Sequence, residues 1–540
     1  MSSTIADKAW ARGPEVPQLL EQSVGDLLRA AVARGADTIA LVEGSPDAAT
    51  RRRWTYGEML AAAEVCAAAL LARFPVGSHI GIWSPNIPEY QLLQYGAALA
   101  GMVIVTINPA FRRAELVYAL DLADVVGLFT VKEFRGRDML GLARELAAES
   151  DTLSLVVDLE DWDEFLAAGD RAVALPVVDP SSPAQILFTS GTTGNPKAAL
   201  LSHRGMVNNV AHDAAIIAGT AADRAVWLAT LPMFHLAGCV VAATGSLALH
   251  GALVTVRNFD AALAIQLIEE ERVSLTNIVP TLMWAIIRHP DFAAKDTSSF
   301  HSVMLGGAPI PPELVRQVEA LGIVPIVGYG LTEAAMTTTT RAEDSWQDQV
   351  NTCGLPLPHI EVLIADPETG EPRAADEVGE ILTRGFHTLI GYYKNPEATA
   401  AAIDADGWFH TGDLGTMDER GYLSMAGRAK DMIIRGGENV YPREIEDHLV
   451  QLEGIANAAV IGLPDDYYGE VVAAFIQVSP GHVLDPAAHS TVLREELTGY
   501  KVPSRWFVVG EFPLTPSGKI QKFALKEQWE AGAYPEVARG

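Results

Sequence analysis

Cysteine is scarce in this sequence, and its spacing excludes two common uses of the thiol. Three cysteines occur among 540 residues, at Cys66, Cys239 and Cys353, and no two of them form a CxxC pair. Such isolated thiols provide neither a disulfide framework nor a zinc site, and they are typical of a reducing compartment. Residues 1–13 contain charged side chains and no apolar core, so no signal peptide is expected. We therefore predict a cytoplasmic protein.

Positive charge is also in short supply. Lysine and arginine total 39 against 68 aspartates and glutamates, which gives a formal net charge of -29. We expect no nucleic-acid partner, because phosphate backbones bind to basic surfaces. If the protein binds a small anion, its few cations must be concentrated at one place.

Long apolar runs are missing as well. The longest charge-free stretch lies between Arg224 and Arg257. It is interrupted by residues that a lipid-facing helix rarely carries together, namely Pro232, His235, Gly238, Gly245, His250 and Gly251. The stretch predicts a buried helix and strand of a protein core, and no integral membrane association.

The composition that remains is that of a large globular protein. Hydrophobic residues make up 49% and charged residues 20% of the chain, and its length predicts more than one core. Thr55 and Glu58 have the spacing of a capping box at the start of an Ala/Leu-rich helix. The segments predicted after it are the strand His79–Trp83, the helix Pro88–Ala100 and the strands Met102–Ile107 and Val125–Thr130. This alternation predicts an α/β fold with layered, largely parallel sheets.

The pattern of predicted segments changes after Gly427, where short strands and helices follow one another closely. These segments are Asp431–Ile434, Arg443–Leu452, Ala458–Gly462, Ala473–Val478, Val492–Gly499 and Trp506–Val509. They predict a separate, small α+β domain, which divides the chain into an N-terminal domain of residues 1–429 and a C-terminal domain of residues 430–540.

A loop rich in hydroxyls and glycines follows the strand-like run Ala184–Phe188. Its residues include Thr189, Ser190, Gly191, Thr192, Thr193, Gly194 and Lys197. Glycines let backbone N–H groups approach a phosphate, while the hydroxyls and the lysine supply further donors. The loop is not a Walker A motif, because two residues separate Gly194 from Lys197 and Ala198 follows the lysine. Taken alone, it is equally compatible with a surface turn.

Four further motifs follow this loop along the chain. They are Leu305–Pro309 with Gly328–Glu333, Gly407–Leu414 with Gly427–Asp431, Gly436–Pro442, and Pro516–Ile520. The five segments together, in this order, resemble the adenylate-forming superfamily of acyl-CoA synthetases, luciferases and peptide-synthetase adenylation domains, and the resemblance covers nearly the whole chain. It implies an ATP-dependent enzyme that activates a carboxylic acid, with a large multi-subdomain N-terminal domain and a small mobile C-terminal lid.

For the nucleotide, the resemblance implies a site made by the hydroxyl-rich loop and the second motif. The residues expected around the adenine are Gly306, Gly307, Ala308, Tyr329 and Gly330, with Tyr329 stacked on the base. Thr332 would donate a hydrogen bond to the α-phosphate, and Glu333 would hold Mg²⁺, a cation that prefers oxygen ligands. Outside such a constellation, a Thr-Glu pair is more often a helix cap.

The later motifs imply contacts to ribose and to coenzyme A. Asp413 would bind the two ribose hydroxyls, and Arg428 would contact ribose and phosphate. Lys430 stands at the family's hinge position, although a charged linker is the alternative interpretation. Gly436 and Gly437 would leave room for the thin pantetheine arm of coenzyme A, although such a pair is usually only a turn.

Lys519 matches the catalytic lysine of the superfamily. Adenylation brings a carboxylate against an anionic triphosphate, and a lysine that touches both partners offsets their repulsion. Lysines in surface Ser-Gly-Lys turns are commonly inert, so this assignment depends on the other motifs.

Two positions narrow the identity of the acid. Peptide-synthetase domains carry an aspartate for the amino group where this chain has Phe234 and His235, so an α-amino acid is not expected. His235 would position the carboxylate or gate the pocket, with a core histidine as the alternative. Acetyl-CoA synthetases carry a tryptophan where this chain has Gly330, so the acyl pocket is expected to be open there.

The pocket itself is expected to be almost wholly uncharged. Its lining would come from Phe234–Val241, Val279–Met283, Gly306–Gly307 and Ala334–Met336. A charged tail would be buried there without a partner, whereas each methylene would contribute favourably. The sequence therefore favours a medium-to-long-chain fatty acid, and a bulky aromatic or alicyclic acid second.

Three other functions are alternatives. A ligase that loads an acyl carrier protein would contain all of these motifs, and a luciferase-like oxidative enzyme is the second alternative. A nucleotide-binding homologue without catalysis would usually have lost Glu333, Asp413, Arg428 or Lys519, and all four are present. The sequence leaves the quaternary state open, a homodimer included.

Overall fold

A computed structural model of the chain describes residues 3–4, 8–170, 172–189, 196–219, 224–436, 438–465, 467–514 and 520–538. The chain divides into two compact units. The first unit consists mainly of Ala11–Val362 and Thr383–Phe409. The second consists mainly of Leu363–Leu382 and the residues from His410 onward.

A seven-stranded sheet forms one layer of the first unit. Its strands, in spatial order, are Leu155–Asp158, Val125–Thr130, His79–Trp83, Val103–Ile107, Pro183–Phe188, Ala198–Ser202 and Gly391–Tyr392. The first five are parallel to their neighbours, and the last two are antiparallel. The predicted strands of this region are therefore confirmed, and their apolar runs are buried because parallel sheets are covered on both faces.

A nine-stranded sheet forms a second layer. Its strands, in spatial order, are Leu355–Pro356, Ala335–Thr339, Val324–Leu331, Ser302–Gly306, Leu275–Ile278, Val226–Ala229, Ala252–Thr255, Ile39–Glu43 and Arg53–Thr55. The six strands from Val324–Leu331 to Ile39–Glu43 run parallel. Leu228, Val254 and Leu305 of these strands belong to a buried apolar cluster with helix residues such as Ile265 and Leu314.

Helices connect the strands of both sheets. The helices of the first unit are Val24–Arg34, Tyr56–Leu71, Pro88–Leu99, Arg113–Leu122, Met139–Glu149, Asp163–Ala167, His203–Ala218, the π-helix Ala237–Ala242, Ala243–Ala248, Ala261–Glu270, Pro280–Ile287, Pro290–Ala294, Pro312–Ala320, Trp346–Asn351 and Pro396–Ala402. The capping box predicted at Thr55 is confirmed, because its side chain accepts from the Glu58 N–H while Glu58 accepts from the Thr55 N–H.

The charge-free stretch lies within this core, as the sequence predicts. It forms the strand Val226–Ala229, the π-helix, the short helix Ala243–Ala248 and the strand Ala252–Thr255. Among the described helices, none combines the length and the apolar character needed to cross a bilayer.

The second unit contains two further sheets. A six-stranded sheet, most of whose residues lie in this unit, has the strand order Ser3–Thr4, Trp10–Arg12, Glu361–Ala365, Gly379–Arg384, Phe409–Met417 and Leu423–Arg428. A five-stranded sheet contains Ile433–Arg435, Glu438–Val440, Ile455–Asp465, Gly469–Val478 and Arg505–Val508. The helices Pro442–Leu449, Pro486–Glu496 and Lys522–Glu530 accompany it, and Ile445, Leu493 and Leu525 pack into its apolar clusters.

The fold class is therefore the predicted one: α/β with layered sheets and a separate C-terminal region. One terminal helix is shifted relative to the prediction, because it begins at Pro486 instead of Val492. Asp485 caps this helix with bonds from the N–H groups of Ala487 and Ala488, which explains the earlier start.

The helix His203–Ala218 contains a buried carboxyl group at Asp213. Asp213 is 1% exposed, and neither of its carboxyl oxygens has a hydrogen-bond partner within the described part of the chain. Desolvation by burial therefore raises the pKa of Asp213 to about 7, while the positive charge of Arg341 acts in the opposite direction.

We expect Asp213→Asn to stabilise the protein in a pH-dependent way. Between pH 4 and pH 7 the unfolded wild type ionises at Asp213 while the folded state keeps the proton, so wild-type stability falls over this range. The melting temperature of the variant relative to wild type should rise from pH 4 to about pH 7 and then level off. Asp121→Asn, at an exposed position, is the control and should show no such trend. A constant difference between Asp213→Asn and wild type would contradict the assignment.

Candidate active site

Four parallel strands of the nine-stranded sheet end at the same edge. They are Val226–Ala229, Leu275–Ile278, Ser302–Gly306 and Val324–Leu331. Because ligands of open α/β sheets bind at the carboxyl ends of the strands, this edge is the expected binding side. His235, Gly307 and Glu333 all follow the ends of these strands, so the topology brings together residues that are far apart in sequence.

A tight hairpin carries Thr332 and Glu333. Leu331 pairs with Ala335, so Thr332, Glu333 and Ala334 form the loop between two antiparallel strands. Ala335 has a φ of 43°, a left-handed conformation that a residue with a side chain seldom adopts. Such backbone strain is typical of functional sites, where the surrounding structure holds it in place.

The structure explains why position 330 is a glycine, which the sequence does not reveal. A Cβ at this position would lie 2.2 Å from the backbone oxygen of Ala335, across the hairpin. Real Cβ atoms do not approach an oxygen so closely, so any side chain at Gly330 requires the backbone to move. The glycine is therefore explained by the close approach of two strands, and by itself it does not indicate an open acyl pocket.

The carboxylate of Glu333 lies beside a tyrosine that sequence reasoning missed. The Tyr392 hydroxyl donates to Glu333 Oε1 at 3.0 Å, and Lys197 Nζ lies 4.7 Å from the centroid of the Tyr392 ring. Burial, and then the charge and hydrogen bond of Glu333, raise the pKa of Tyr392, so its hydroxyl stays a donor. The structure thus brings two predicted site residues, Glu333 and Lys197, into contact with one tyrosine side chain.

The backbone around Tyr392 also contributes to this arrangement. We name Leu389–Tyr393 the bridging segment. The Leu389 N–H donates to the Glu333 carbonyl at 2.7 Å, and the Tyr393 N–H donates to the Ala198 carbonyl at 2.8 Å. The segment therefore connects the hairpin to the strand that begins immediately after Lys197. No sequence motif marks it, because its role depends on contacts between distant parts of the chain.

The hydroxyl-rich loop is described only at its ends. The Thr189 N–H donates to the Lys197 carbonyl at 2.9 Å, which closes the two strands that flank the loop. The Tyr118 hydroxyl donates to the Pro196 carbonyl at 3.0 Å. Ser190, Gly191, Thr192, Thr193 and Gly194 lie outside the described residues, so their phosphate-binding role stays a prediction.

The segment Leu231–His235 is held by three buried polar side chains. Asn86 bonds the Leu231 carbonyl and the Met233 N–H, at 3.0 and 2.8 Å. The Tyr90 hydroxyl donates to the Met233 carbonyl at 3.0 Å, and the Thr106 hydroxyl donates to the Phe234 carbonyl at 2.9 Å. Polar residues within otherwise apolar buried segments are the sequence feature that could have identified these supports.

His235 itself is half-buried at the start of the π-helix. Its Nδ1 accepts the Ala237 N–H at 3.3 Å, so a neutral ring carries its proton on Nε2 and can present that N–H as a donor. The π-helix that follows is a rare element found frequently at functional sites.

In the second unit, the two predicted ribose ligands form an ion pair. Asp413 and Arg428 lie opposite each other on neighbouring strands, and Arg428 Nε lies 3.1 Å from Asp413 Oδ1. The Asp413 N–H donates to Thr411 Oγ1 at 3.0 Å, and the Gly412 N–H donates to Glu380 Oε1 at 3.0 Å. The buried Asp413 carboxylate is thus held in one orientation beside a more exposed guanidinium.

The remaining predicted residues of the second unit are partly described. Lys430 lies in the one-turn helix Ala429–Asp431, and partial desolvation lowers the pKa of its ammonium group. Gly436 has a φ of 62°, a left-handed conformation that accounts for a glycine here. Its N–H donates to the Tyr468 carbonyl at 2.8 Å. Gly437 and Lys519 lie outside the described residues.

Mg²⁺ needs only one or two carboxylate ligands from a protein. The described residues contain no cluster of three or more histidine, cysteine or acidic side chains suited to a metal. Mg²⁺ usually binds one or two carboxylates and completes its shell with water and substrate phosphates. Glu333, at the carboxyl edge of the sheet, is a suitable single protein ligand.

Comparison with known proteins finds two family models that together match most of the chain. The family model described as AMP-binding enzyme matches residues 28–393, and the model of the AMP-binding enzyme C-terminal domain matches residues 444–519.

Three relatives illustrate the likeness. The chain is 37% identical to a 3-[(3aS,4S,7aS)-7a-methyl-1,5-dioxo-octahydro-1H-inden-4-yl]propanoyl:CoA ligase of Mycobacterium tuberculosis, over 88% of this chain and 94% of the relative. It is 31% identical to the mitochondrial medium-chain acyl-CoA ligase ACSF2 of Macaca fascicularis, over 97% of this chain and 90% of the relative. The crystal structure of ATP-bound MatB from Rhodopseudomonas palustris superposes with a TM-score of 0.86 at 28% identity, covering 94% of this chain and 99% of that chain.

Members of this family use ATP and coenzyme A. The five motifs, the fold and the extent of the family match agree with one another. The chain therefore belongs to the AMP-binding enzyme family, the adenylate-forming superfamily, and is an acid–thiol ligase of the AMP-forming acyl-CoA synthetase type.

Proposed function

We propose that this ligase activates an apolar carboxylic acid with ATP and transfers the acyl group from the acyl-adenylate to coenzyme A. The observation that carries the proposal is the contact of both Glu333 and Lys197 with Tyr392, the first at its hydroxyl and the second at its ring face. A carboxylate and an ammonium group that contact the same side chain match the two needs of a metal–triphosphate: a ligand for the cation and a partner for the anion.

In the first half-reaction, a carboxylate oxygen of the acid attacks the α-phosphorus of ATP, and pyrophosphate leaves. Thr332 donates to the α-phosphate, Lys197 binds phosphate oxygens, and Asp413 orients the ribose. Mg²⁺, when bound at Glu333, supplies neutralising charge for the phosphates. Lys519 contacts both anionic reactants, so charge that develops in the transition state meets a fixed cation.

In the second half-reaction, the coenzyme A thiolate attacks the acyl carbonyl carbon, and AMP leaves as the C–O bond to the phosphate breaks. The C-terminal domain of residues 430–540 changes orientation between the two steps, with its hinge at Lys430. The Gly436–Gly437 turn then offers backbone without side chains along the path of the pantetheine arm. Catalysis in both steps comes mainly from positioning and charge stabilisation.

For the acid, an apolar molecule of medium size or larger is the best-supported substrate. The expected pocket segments include buried Val240, Val279 and Met283, and each buried methylene contributes roughly 0.8 kcal/mol. The relatives named above include a medium-chain acyl-CoA ligase and a ligase of a propanoyl group on a fused ring system. A medium-to-long-chain fatty acid is therefore the first candidate, and a bulky alicyclic or aromatic acid is the second.

One assay tests the proposal as a whole. Release of AMP should be measured with ATP, Mg²⁺ and coenzyme A over a panel of acids that differ in length and ring content. Turnover without any carrier protein separates coenzyme A ligation from carrier loading, and the absence of oxygen consumption excludes a luciferase-like reaction. A protein that binds ATP yet activates none of the acids would overturn the proposal.

Lys519→Ala should slow adenylation by about a hundredfold or more, because a cation that contacts both anions is lost. Acid-dependent exchange of pyrophosphate into ATP measures this step. Transfer from supplied acyl-adenylate to coenzyme A should stay largely unchanged, because the lysine acts only in the first step. Lys526→Ala, on the following helix, is the control and should retain both activities. Equal losses in both half-reactions of a folded Lys519→Ala variant would contradict the two-step account.

Lys430→Pro should have the opposite effect. Proline fixes φ and removes the N–H, so the hinge stiffens while the catalytic lysine is untouched. Pyrophosphate exchange should persist, and acyl-CoA formation should collapse. Lys430→Ala separates the backbone from the side chain, because it removes the charge and keeps the rotation. The hinge assignment fails if the proline variant completes the overall reaction at the wild-type rate.

The acyl pocket is best tested at Ala237. Of the small residues expected in its lining, Gly238, Ala334 and Ala335 are buried, whereas Ala237 is partly exposed. Ala237→Trp should therefore reduce kcat/KM for decanoate by at least about tenfold and spare butyrate. Gly330→Trp should narrow the pocket too, but it needs Gly330→Ala as a control, because a Cβ there already meets the backbone. Wild-type preference for acetate, or an unchanged chain-length profile in Ala237→Trp, would remove this pocket assignment.

A further inference from the structure

The side chain of Tyr392 makes two contacts of opposite electrostatic character. Its hydroxyl donates to the Glu333 carboxylate at 3.0 Å, and the face of its ring lies 4.7 Å from the Lys197 ammonium group. The residue is 8% exposed, whereas Glu333 and Lys197 are partly exposed, so the tyrosine contributes the buried side of both contacts. One side chain therefore contacts the expected metal ligand and the expected phosphate ligand at once.

The position of this ring is fixed by its own backbone. Tyr392 pairs with Ala199, two residues after Lys197, and its N–H donates to Thr399 Oγ1 at 2.9 Å. The bridging segment also bonds the Glu333 carbonyl through the Leu389 N–H. Tyr392 is thus attached through its backbone to the strand that follows Lys197, and its segment is attached to the hairpin that carries Glu333.

The adjacent residue shows a direct pair between the same kinds of charge. The Tyr393 hydroxyl donates to Asp124 at 2.9 Å, and Lys394 Nζ lies 5.8 Å from the Tyr393 ring. Here the lysine reaches the carboxylate directly, at 2.6 Å from Asp124 Oδ1. Tyrosine, lysine and carboxylate are the same three groups as at Tyr392, but in this second set the two charges neutralise each other.

At Tyr392 no such pair between Glu333 and Lys197 occurs among the described residues. Among the described residues, Lys197 is part of no ion pair, and its ammonium group lies over the aromatic face instead. A ring face stabilises a cation without cancelling its charge, so the ammonium group can still exchange this contact for phosphate. A direct pair between Glu333 and Lys197 would occupy the ligand for the metal and the ligand for the anion together.

We infer that Tyr392 is a positioning residue that holds Glu333 for the metal through its hydroxyl and Lys197 for the phosphates through its ring face. The inference rests on the proposed function, since it assigns ligands of a metal–triphosphate to these two residues. Residues that orient a metal ligand typically change metal affinity by about 10- to 100-fold when they are removed.

Two substitutions separate the hydroxyl from the ring. Tyr392→Phe removes only the hydrogen bond to Glu333 and should raise the Mg²⁺ concentration for half-maximal pyrophosphate exchange by about tenfold. Its KM for ATP at saturating Mg²⁺ should stay near the wild-type value. Tyr392→Leu removes the ring as well, so KM for ATP should also rise and kcat should fall, even at saturating Mg²⁺.

Tyr393→Phe is the matched control. It removes a tyrosine–carboxylate hydrogen bond of the same kind from the next residue, and it should leave the Mg²⁺ requirement unchanged. Calorimetric titration with ATP, with and without Mg²⁺, gives a second measurement that does not depend on turnover. The gain in ATP affinity that Mg²⁺ provides should shrink in Tyr392→Phe and stay intact in Tyr393→Phe.

The outcomes distinguish this inference from the proposed function. If wild type shows no acid-dependent pyrophosphate exchange, the proposed function fails. If wild type is active and Tyr392→Phe keeps the wild-type Mg²⁺ dependence in both measurements, the positioning role fails. Melting temperatures identify a variant that has lost its fold, and Tyr392→Phe decides the question should Tyr392→Leu unfold.

Discussion

The candidate site depends on the parallel pairing of six central strands in the nine-stranded sheet. Parallel strands cannot be joined by tight turns, so each connection returns across the sheet, usually through a helix, and every strand ends at the same edge. This constraint places His235, Gly307 and the Thr332–Glu333 hairpin along one side of the sheet. The bridging segment Leu389–Tyr393 then connects that edge to the seven-stranded sheet through backbone hydrogen bonds and strand pairing. The hairpin is thereby joined to the strand that follows the hydroxyl-rich loop.

Cations are scarce in this acidic chain, and the groups that they contact differ from one cation to another. Most described arginines form ion pairs at the surface, and such pairs contribute little to stability. Lys197 lies over an aromatic ring instead, whereas Lys394 pairs directly with Asp124. In the second unit Arg428 pairs with Asp413, a contact that orients the carboxylate.

Backbone geometry contributes as much to the site as side chains do. The left-handed conformation of Ala335 and the absent side chain of Gly330 both result from the tight hairpin. Asn209 holds the strand that follows, because its amide bonds the N–H and the carbonyl of Met336 at 3.1 and 2.6 Å. The turn that presents Glu333 is therefore fixed from both sides, which suits a ligand that has to be preorganised.

Local features and the family were readable from the order of the amino acids alone. The capping box at Thr55, the strands His79–Trp83 and Val125–Thr130 and the α/β class follow from hydrogen bonds and periodicities among neighbouring residues. Motifs were readable for the same reason, although Lys519 and most of the hydroxyl-rich loop lie outside the described residues and remain predictions. Only the tertiary structure showed that Tyr392, 59 residues after Glu333, contacts it, and why Gly330 has no side chain. Contacts between distant segments depend on how strands pair and turns close. No local pattern of residue types shows which distant segments will meet.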